Sequence, residues 1–164
     1  MRFLLCVVGG FALAGLYHSQ ASATPAQDCK KPVYLTFDTG HMAVAPVIAD
    51  ILARQKVVVT FFAANEKTKE GDGSLGEHWG GWWRERAKEG HDFASHTFNH
   101  VYWVADAGKD AFRVKPSAGS RQGETYILDR NGYCEELSQS SRRLHMLTGK
   151  SPLPLFRAPG GRLS

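Results

Sequence analysis

The chain of 164 residues carries a formal net charge of +4, from 20 Lys and Arg against 16 Asp and Glu. Hydrophobic residues make up 43% of it, enough to bury the core of one domain and too many for a disordered chain. The basic excess is mild and shows no polybasic run, so nucleic acid is not implied as a partner, whereas an anionic glycan or cell surface is tolerated.

Met1 to Ala23 reads as a leader outside the fold. Arg2 supplies the positive start, Phe3 to Leu16 the apolar stretch, and Ala21-Ser22-Ala23 an A-x-A cleavage signal that makes Thr24 the new N-terminus. The alternative is a membrane anchor, but the run is short of the roughly 20 apolar residues that a span requires. The expectation is export to the periplasm or outside the cell, with residues 24–164 forming one domain and no stable span after cleavage. Cys6 leaves with the leader, and the remaining Cys29 and Cys134 are able either to pair in an oxidising compartment or to persist as thiols.

The body of the chain alternates strand and helix patterns. Pro32 to Phe37 is β-branched and aromatic and predicts a buried strand that stops at Asp38-Thr39-Gly40. Val44, Val47, Ile48, Ile51 and Leu52 recur at helical spacing over Val44 to Arg54, with Pro46 in the first turn. Val57 to Phe62 predicts a second strand of the doubly covered kind, followed by a polar, Gly-rich loop from Asn65 to Gly76. Trp79 to Glu89 predicts a helix that Gly90 ends, and His91 to Ala94 a short third strand. Ala105 to Asp129 dissolves into Gly, Pro and charge and reads as a surface loop or insertion. Tyr133, Leu137, Leu144 and Leu147 mark a further helix stopped by Gly149, and Leu155 to Arg157 a fourth strand. Such a series predicts a mostly parallel sheet with helices packed outside it. Asp38, His96 and Arg157 then fall at strand ends, where the loops of parallel α/β folds converge on a ligand.

His96 and His100 form a His-x3-His pair, a spacing that lets two imidazoles share one ion, although such pairs also arise as unrelated histidines. Asp38 alone reads equally as a helix-capping carboxylate, and Arg157 as a structural ion pair. Trp79, Trp82 and Trp83 at helical spacing read first as core anchors and second as a sugar-stacking platform.

Taken together, these residues resemble the polysaccharide deacetylases of the NodB-homology type, carbohydrate esterase family 4. The family's Thr-Phe-Asp-Asp-Gly motif is represented by Thr36-Phe37-Asp38-Thr39-Gly40, its His-Ser/Thr-x-x-His motif by His96-Thr97-Phe98-Asn99-His100, and its Arg-x-Pro motif by Arg157-Ala158-Pro159. Order and approximate spacing agree from Val33 to Gly161. The resemblance implies the N-terminal portion of an irregular (β/α) barrel and a hydrolase removing N-acetyl groups from amino-sugar polymers. It implies a divalent metal, zinc with cobalt or nickel as alternatives, held by His96 and His100. Asp38 corresponds to the base, Arg157 to its partner, and a backbone N–H near Pro159 and Gly160 to an oxyanion contact.

Two departures carry consequences. The family's second, metal-binding Asp is Thr39 here, a neutral and poorer ligand, so the third ligand is expected from Thr39 itself, from His41 or from water. The later motifs, including the family's general acid, would follow Arg157, and the sequence stops at Ser164 before them, as expected of an N-terminal piece. Gly160 also stands where the family often has an aromatic residue, implying a more open floor. The competing expectation is a non-catalytic glycan-binding relic with a degenerate site.

Overall fold

The structure, a computed structural model, describes residues 31–162, so the expected leader, its expected cleavage site and Cys29 lie outside the described residues. The compact unit Val33–Ser164 holds all the regular structure described. It begins with three short parallel strands, β1 (Thr36–Asp38), β2 (Thr60–Ala63) and β3 (Asp92–Ser95), ordered as in the chain. Register is set by Phe37 opposite Phe61 and Phe61 opposite Phe93. Phe156 adds a single parallel bridge to Ser95, so the predicted fourth strand exists as one rung.

The connections are helices α1 (Ala45–Gln55) and α2 (Gly80–Lys88), both near their predicted limits. Pro46 sits in the first turn of α1, where its missing N–H costs no helical bond. Gly90 takes φ 92° just beyond α2, a conformation that favours glycine. The long helix α3 (Arg130–Thr148) is capped by Asp129, whose carboxylate accepts the Gly132 N–H at 2.7 Å, and closed by Gly149 at φ 70°. Its inner face places Leu144 and Leu147 against Trp83, Phe93 and Phe61, the centre of the main core. Ser140 on the same face donates to the Ala63 carbonyl at 2.6 Å, tying α3 to the end of β2.

Two expectations are corrected. The segment read as a loop, Ala105 to Asp129, contains two strands, and the fold is less uniformly parallel than predicted. β4 (Val101–Asp106), β5 (Ala111–Pro116) and β6 (Tyr126–Asp129) form an antiparallel sheet, and the described residues include no closed barrel. Val101, Val114 and Tyr133 form its buried centre, with Trp103, Phe112, Leu128 and Phe156 packed around them. The predicted first and second strands are also shorter, because Val33, Tyr34 and Leu35, and likewise Val57 and Val58, are exposed rather than covered on two faces. On α1 only Ala45, Ala49 and Leu52 are fully buried, while Val44, Val47 and Ile51 face outward.

Candidate metal and catalytic site

β3 ends at Ser95 and the chain turns sharply through the two histidines before β4. Thr97 and His100 take φ 60° and 48°, the left-handed region that is costly for a residue with a Cβ. Several bonds hold them there. Thr97 Oγ1 accepts the Val101 N–H at 2.7 Å, and the Phe98 N–H donates to the Glu136 carbonyl at 2.9 Å. The Asn99 N–H and Nδ2 donate to the two Glu136 carboxylate oxygens at 2.8 and 2.7 Å. The rings of His96 and His100 consequently stand 4.8 Å apart between centroids, with the residues 3% and 8% exposed.

Each ring is held from behind. His96 Nδ1 lies 2.8 Å from the Arg157 carbonyl, which accepts only, so Nδ1 carries the proton and Nε2 the lone pair. His100 Nδ1 lies 2.6 Å from Ser117 Oγ. Burial pushes the His100 pKa down to about 4, aided by the neighbouring His96 and opposed by Asp38. Burial likewise lowers His96, against the opposing pull of the Arg157 carbonyl and of Asp38. Both imidazoles are therefore neutral near pH 7, the form that ligates a metal.

Asp38, at the end of β1, faces this pair. Its Oδ2 is 3.8 Å from His96 Nε2, and its Oδ1 accepts Arg157 Nη1 at 2.7 Å. The same guanidinium donates Nη2 to Thr36 Oγ1 at 2.7 Å and lies 4.2 Å above the Phe62 ring. One arginine thus supports the carboxylate with its side chain and His96 with its carbonyl. That arrangement orients a base while leaving one carboxylate oxygen free for a proton.

The candidates for a third ligand separate. Thr39 Oγ1 accepts the Ala64 N–H at 2.8 Å and donates to the Ala64 carbonyl at 3.2 Å, so it fastens the ends of β1 and β2 together. His41 is exposed, and its Nδ1 accepts the Ala43 N–H at 3.3 Å at the start of α1. A residue the sequence reading did not select, Glu66, lies closer to the histidines. Its Oε1 is 3.9 Å from His100 Nδ1, and its Oε2 is buried without a hydrogen-bond partner among the described residues. Burial pushes its carboxyl up to about 7; the Thr39 hydroxyl opposes the rise and the Asp38 charge adds to it.

Pro159 is buried in the turn Pro159–Gly161 that follows Arg157, and Gly160 takes φ 69° there. A Cβ on Gly160 would come within 2.9 Å of the Tyr102 ring, which also stacks edge-on against His100 with centroids 4.9 Å apart. The expected open floor is therefore occupied by an aromatic ring contributed from β4. Beside Asp38, a cavity of about 220 Å³ is lined by Phe37, Thr39, His41, Ile48 and Trp82. Trp82 and Trp83 both line it; Trp83 has no exposed surface and donates Nε1 to the Ser74 carbonyl at 2.7 Å, which anchors it in the core.

Two neutral imidazoles fixed at Nδ1, with a buried carboxylate oxygen lacking a partner beside them, suit a divalent ion accepting nitrogen and oxygen donors. Among the described residues no three His, Cys, Asp or Glu side chains already meet around one point. Ser117, Glu136, Tyr102 and Glu66 were not singled out from sequence. Only the acidic residue types gave any signal, and nothing in their spacing linked them to the histidines.

The chain is similar to known proteins. Residues 26–164 match the polysaccharide deacetylase family model. A chitooligosaccharide deacetylase of Azorhizobium caulinodans is 26% identical over 133 residues, covering 80% of this chain and 49% of that protein. The catalytic domain of a peptidoglycan N-acetylglucosamine deacetylase from Eubacterium rectale superposes with a TM-score of 0.53 at 23% identity, over 86% of this chain and 50% of the other. A family 4 acetyl xylan esterase from Clostridium thermocellum, solved with a cobalt ion, gives 0.53 at 15% identity, over 79% and 49%. The chain thus spans about half the length of the relatives it matches. From the family match over residues 26–164, this protein belongs to the polysaccharide deacetylase family.

Proposed function

We propose that the chain carries the metal and base half of an exported N-deacetylase acting on amino-sugar polymers, cleaving the C–N bond of an acetamido group to give acetate and an amine. The observation that carries this reading is the Arg157–Asp38 pair set 3.8 Å from His96 Nε2, with Arg157 holding both partners. The names of two relatives, a chitooligosaccharide deacetylase and a peptidoglycan N-acetylglucosamine deacetylase, favour an N-acetylated glycan as substrate. Export rests on the leader read in the sequence.

His96, His100 and a third donor would hold the ion, for which imidazole suits zinc, cobalt and nickel alike. When bound, such an ion polarises the acetyl carbonyl and acidifies water. Asp38 takes the proton of the attacking water through its free Oδ2, while Arg157 keeps the carboxylate aimed. In the turn Pro159–Gly161, Pro159 has no N–H and the Gly161 N–H goes to the Ala158 carbonyl at 3.0 Å, which leaves the Gly160 N–H as the donor for the developing oxyanion. The proton for the departing amine is not assigned to any residue here.

The test is acetate release by the full chain from three polymers: a chitin-type oligosaccharide, a peptidoglycan glycan and an acetylated xylan. Release from the amino-sugar substrates that stops with chelator and returns with zinc or cobalt is the expected result. Glycan binding that persists in chelator with no acetate from any polymer would instead establish the glycan-binding relic, a reading favoured by Thr39 being engaged with Ala64.

A further inference from the structure

Thr39 occupies the position from which a metal-binding carboxylate is expected, and both of its hydroxyl bonds go to the Ala64 backbone. His41 is exposed at the start of α1. Asp38 is paired with Arg157. One carboxylate beside the histidines lacks a cationic partner among the described residues. We propose that Glu66 supplies the acidic ligand of this metal centre, joining His96 and His100 in place of Thr39, an inference that rests on the metal-dependent reading above.

Three observations support it. Glu66 Oε1 lies 3.9 Å from His100 Nδ1, on the side of the ring that faces Ser117, and Oε2 is buried with no hydrogen-bond partner among the described residues. An unsatisfied buried carboxylate oxygen is costly, and a divalent cation is the partner that would relieve it best. The backbone of Glu66 is fixed, since its N–H donates to Ser74 Oγ at 3.0 Å and its carbonyl accepts the Ser74 N–H at 2.8 Å. The neighbouring Asn65 N–H donates to the Phe98 carbonyl, inside the histidine turn, at 2.7 Å. The loop after β2 is therefore tied to the loop after β3, and in this proposal Glu66 joins the ion by turning its side chain on a fixed backbone. The Thr39 hydroxyl, by holding Ala64 two residues before Glu66, acts as a positioning group for it.

Cobalt(II) titration of the full chain tests this, read by visible absorption and calorimetry, with thermal unfolding of the metal-free protein alongside. Glu66→Gln is expected to weaken cobalt binding by about tenfold or more and to alter the absorption spectrum, while the metal-free protein unfolds no earlier than the wild type. Glu66→Asp, which keeps a carboxylate, should bind between the two. Wild-type cobalt binding that Glu66→Gln leaves unchanged in affinity and spectrum overturns the assignment of Glu66 alone. A Glu66→Asp protein as weak as Glu66→Gln also overturns it. A wild-type chain that binds no cobalt overturns the metal-dependent reading together with this one.

Discussion

Thr97 and His100 hold backbone angles that cost a residue with a Cβ on the order of 1–2 kcal/mol each. Strain of that size persists only where surrounding bonds enforce it, and here the enforcing group is Glu136 of α3. Both of its carboxylate oxygens receive Asn99, the residue between the strained turn and His100. Glu136→Gln places an amide N–H against a donor, and should lower stability by about 2 kcal/mol in urea unfolding and weaken cobalt binding as the turn relaxes. Unchanged cobalt affinity would show that the turn holds His100 without this clamp. None of this was visible in the residue string. The motif residues Asp38, His96, His100 and Arg157 were legible because three short motifs in order resemble those of a known family; alone, each had an ordinary structural reading. Glu66 and Glu136 were not, because a carboxylate that acts through a contact 34 or 37 positions away leaves no local pattern.

At the scale of elements, helix limits were legible and strand limits less so. Pro46, Gly90 and Gly149 act on their own neighbours, so a local reading finds them. The antiparallel sheet was missed since β5, Ala-Phe-Arg-Val-Lys-Pro, alternates over only six residues and mixes charges with its apolar side. Its strand character comes from pairing with β4 and β6 over Tyr133. The junction between β2 and β3 carries a pH-dependent element. His91, wholly buried before β3, accepts the Val59 N–H on Nδ1 at 3.1 Å and so is neutral there. Burial lowers its pKa, outweighing the raising effect of Glu89. A group whose folded pKa is depressed stabilises the fold above its unfolded value of about 6.5 and loses that contribution as pH falls. The His91 contribution to unfolding free energy should therefore be lost as pH falls below about 6.5, and His91→Asn should remove that part of the profile's acid slope. An equal slope in wild type and variant would place the acid sensitivity elsewhere.

At the scale of the molecule, the candidate ligands and base come from the carboxyl ends of parallel strands or the loops just past them: Asp38 ending β1, Glu66 after β2, His96 and His100 after β3, Arg157 beside the Ser95 bridge, while Tyr102, Ser117 and Glu136 support them from β4, the end of β5 and α3. This is the end at which βα units gather their chemistry. The alternation of strands and helices made that convergence foreseeable. It did not reveal that Val33 and Tyr34 stay 93% and 83% exposed, or that α1 turns Val47 and Ile51 outward, since burial depends on what lies across from a segment. The central claim is that Asp38, held by Arg157 in front of His96, is the base of an amide hydrolysis. The most direct measurement is acetate released from an N-acetylated chito-oligosaccharide by the metal-loaded full chain and by its Asp38→Asn variant. A fall of about 100-fold or more in kcat, with cobalt affinity and unfolding temperature retained, is predicted. Equal rates in the two proteins would contradict the account.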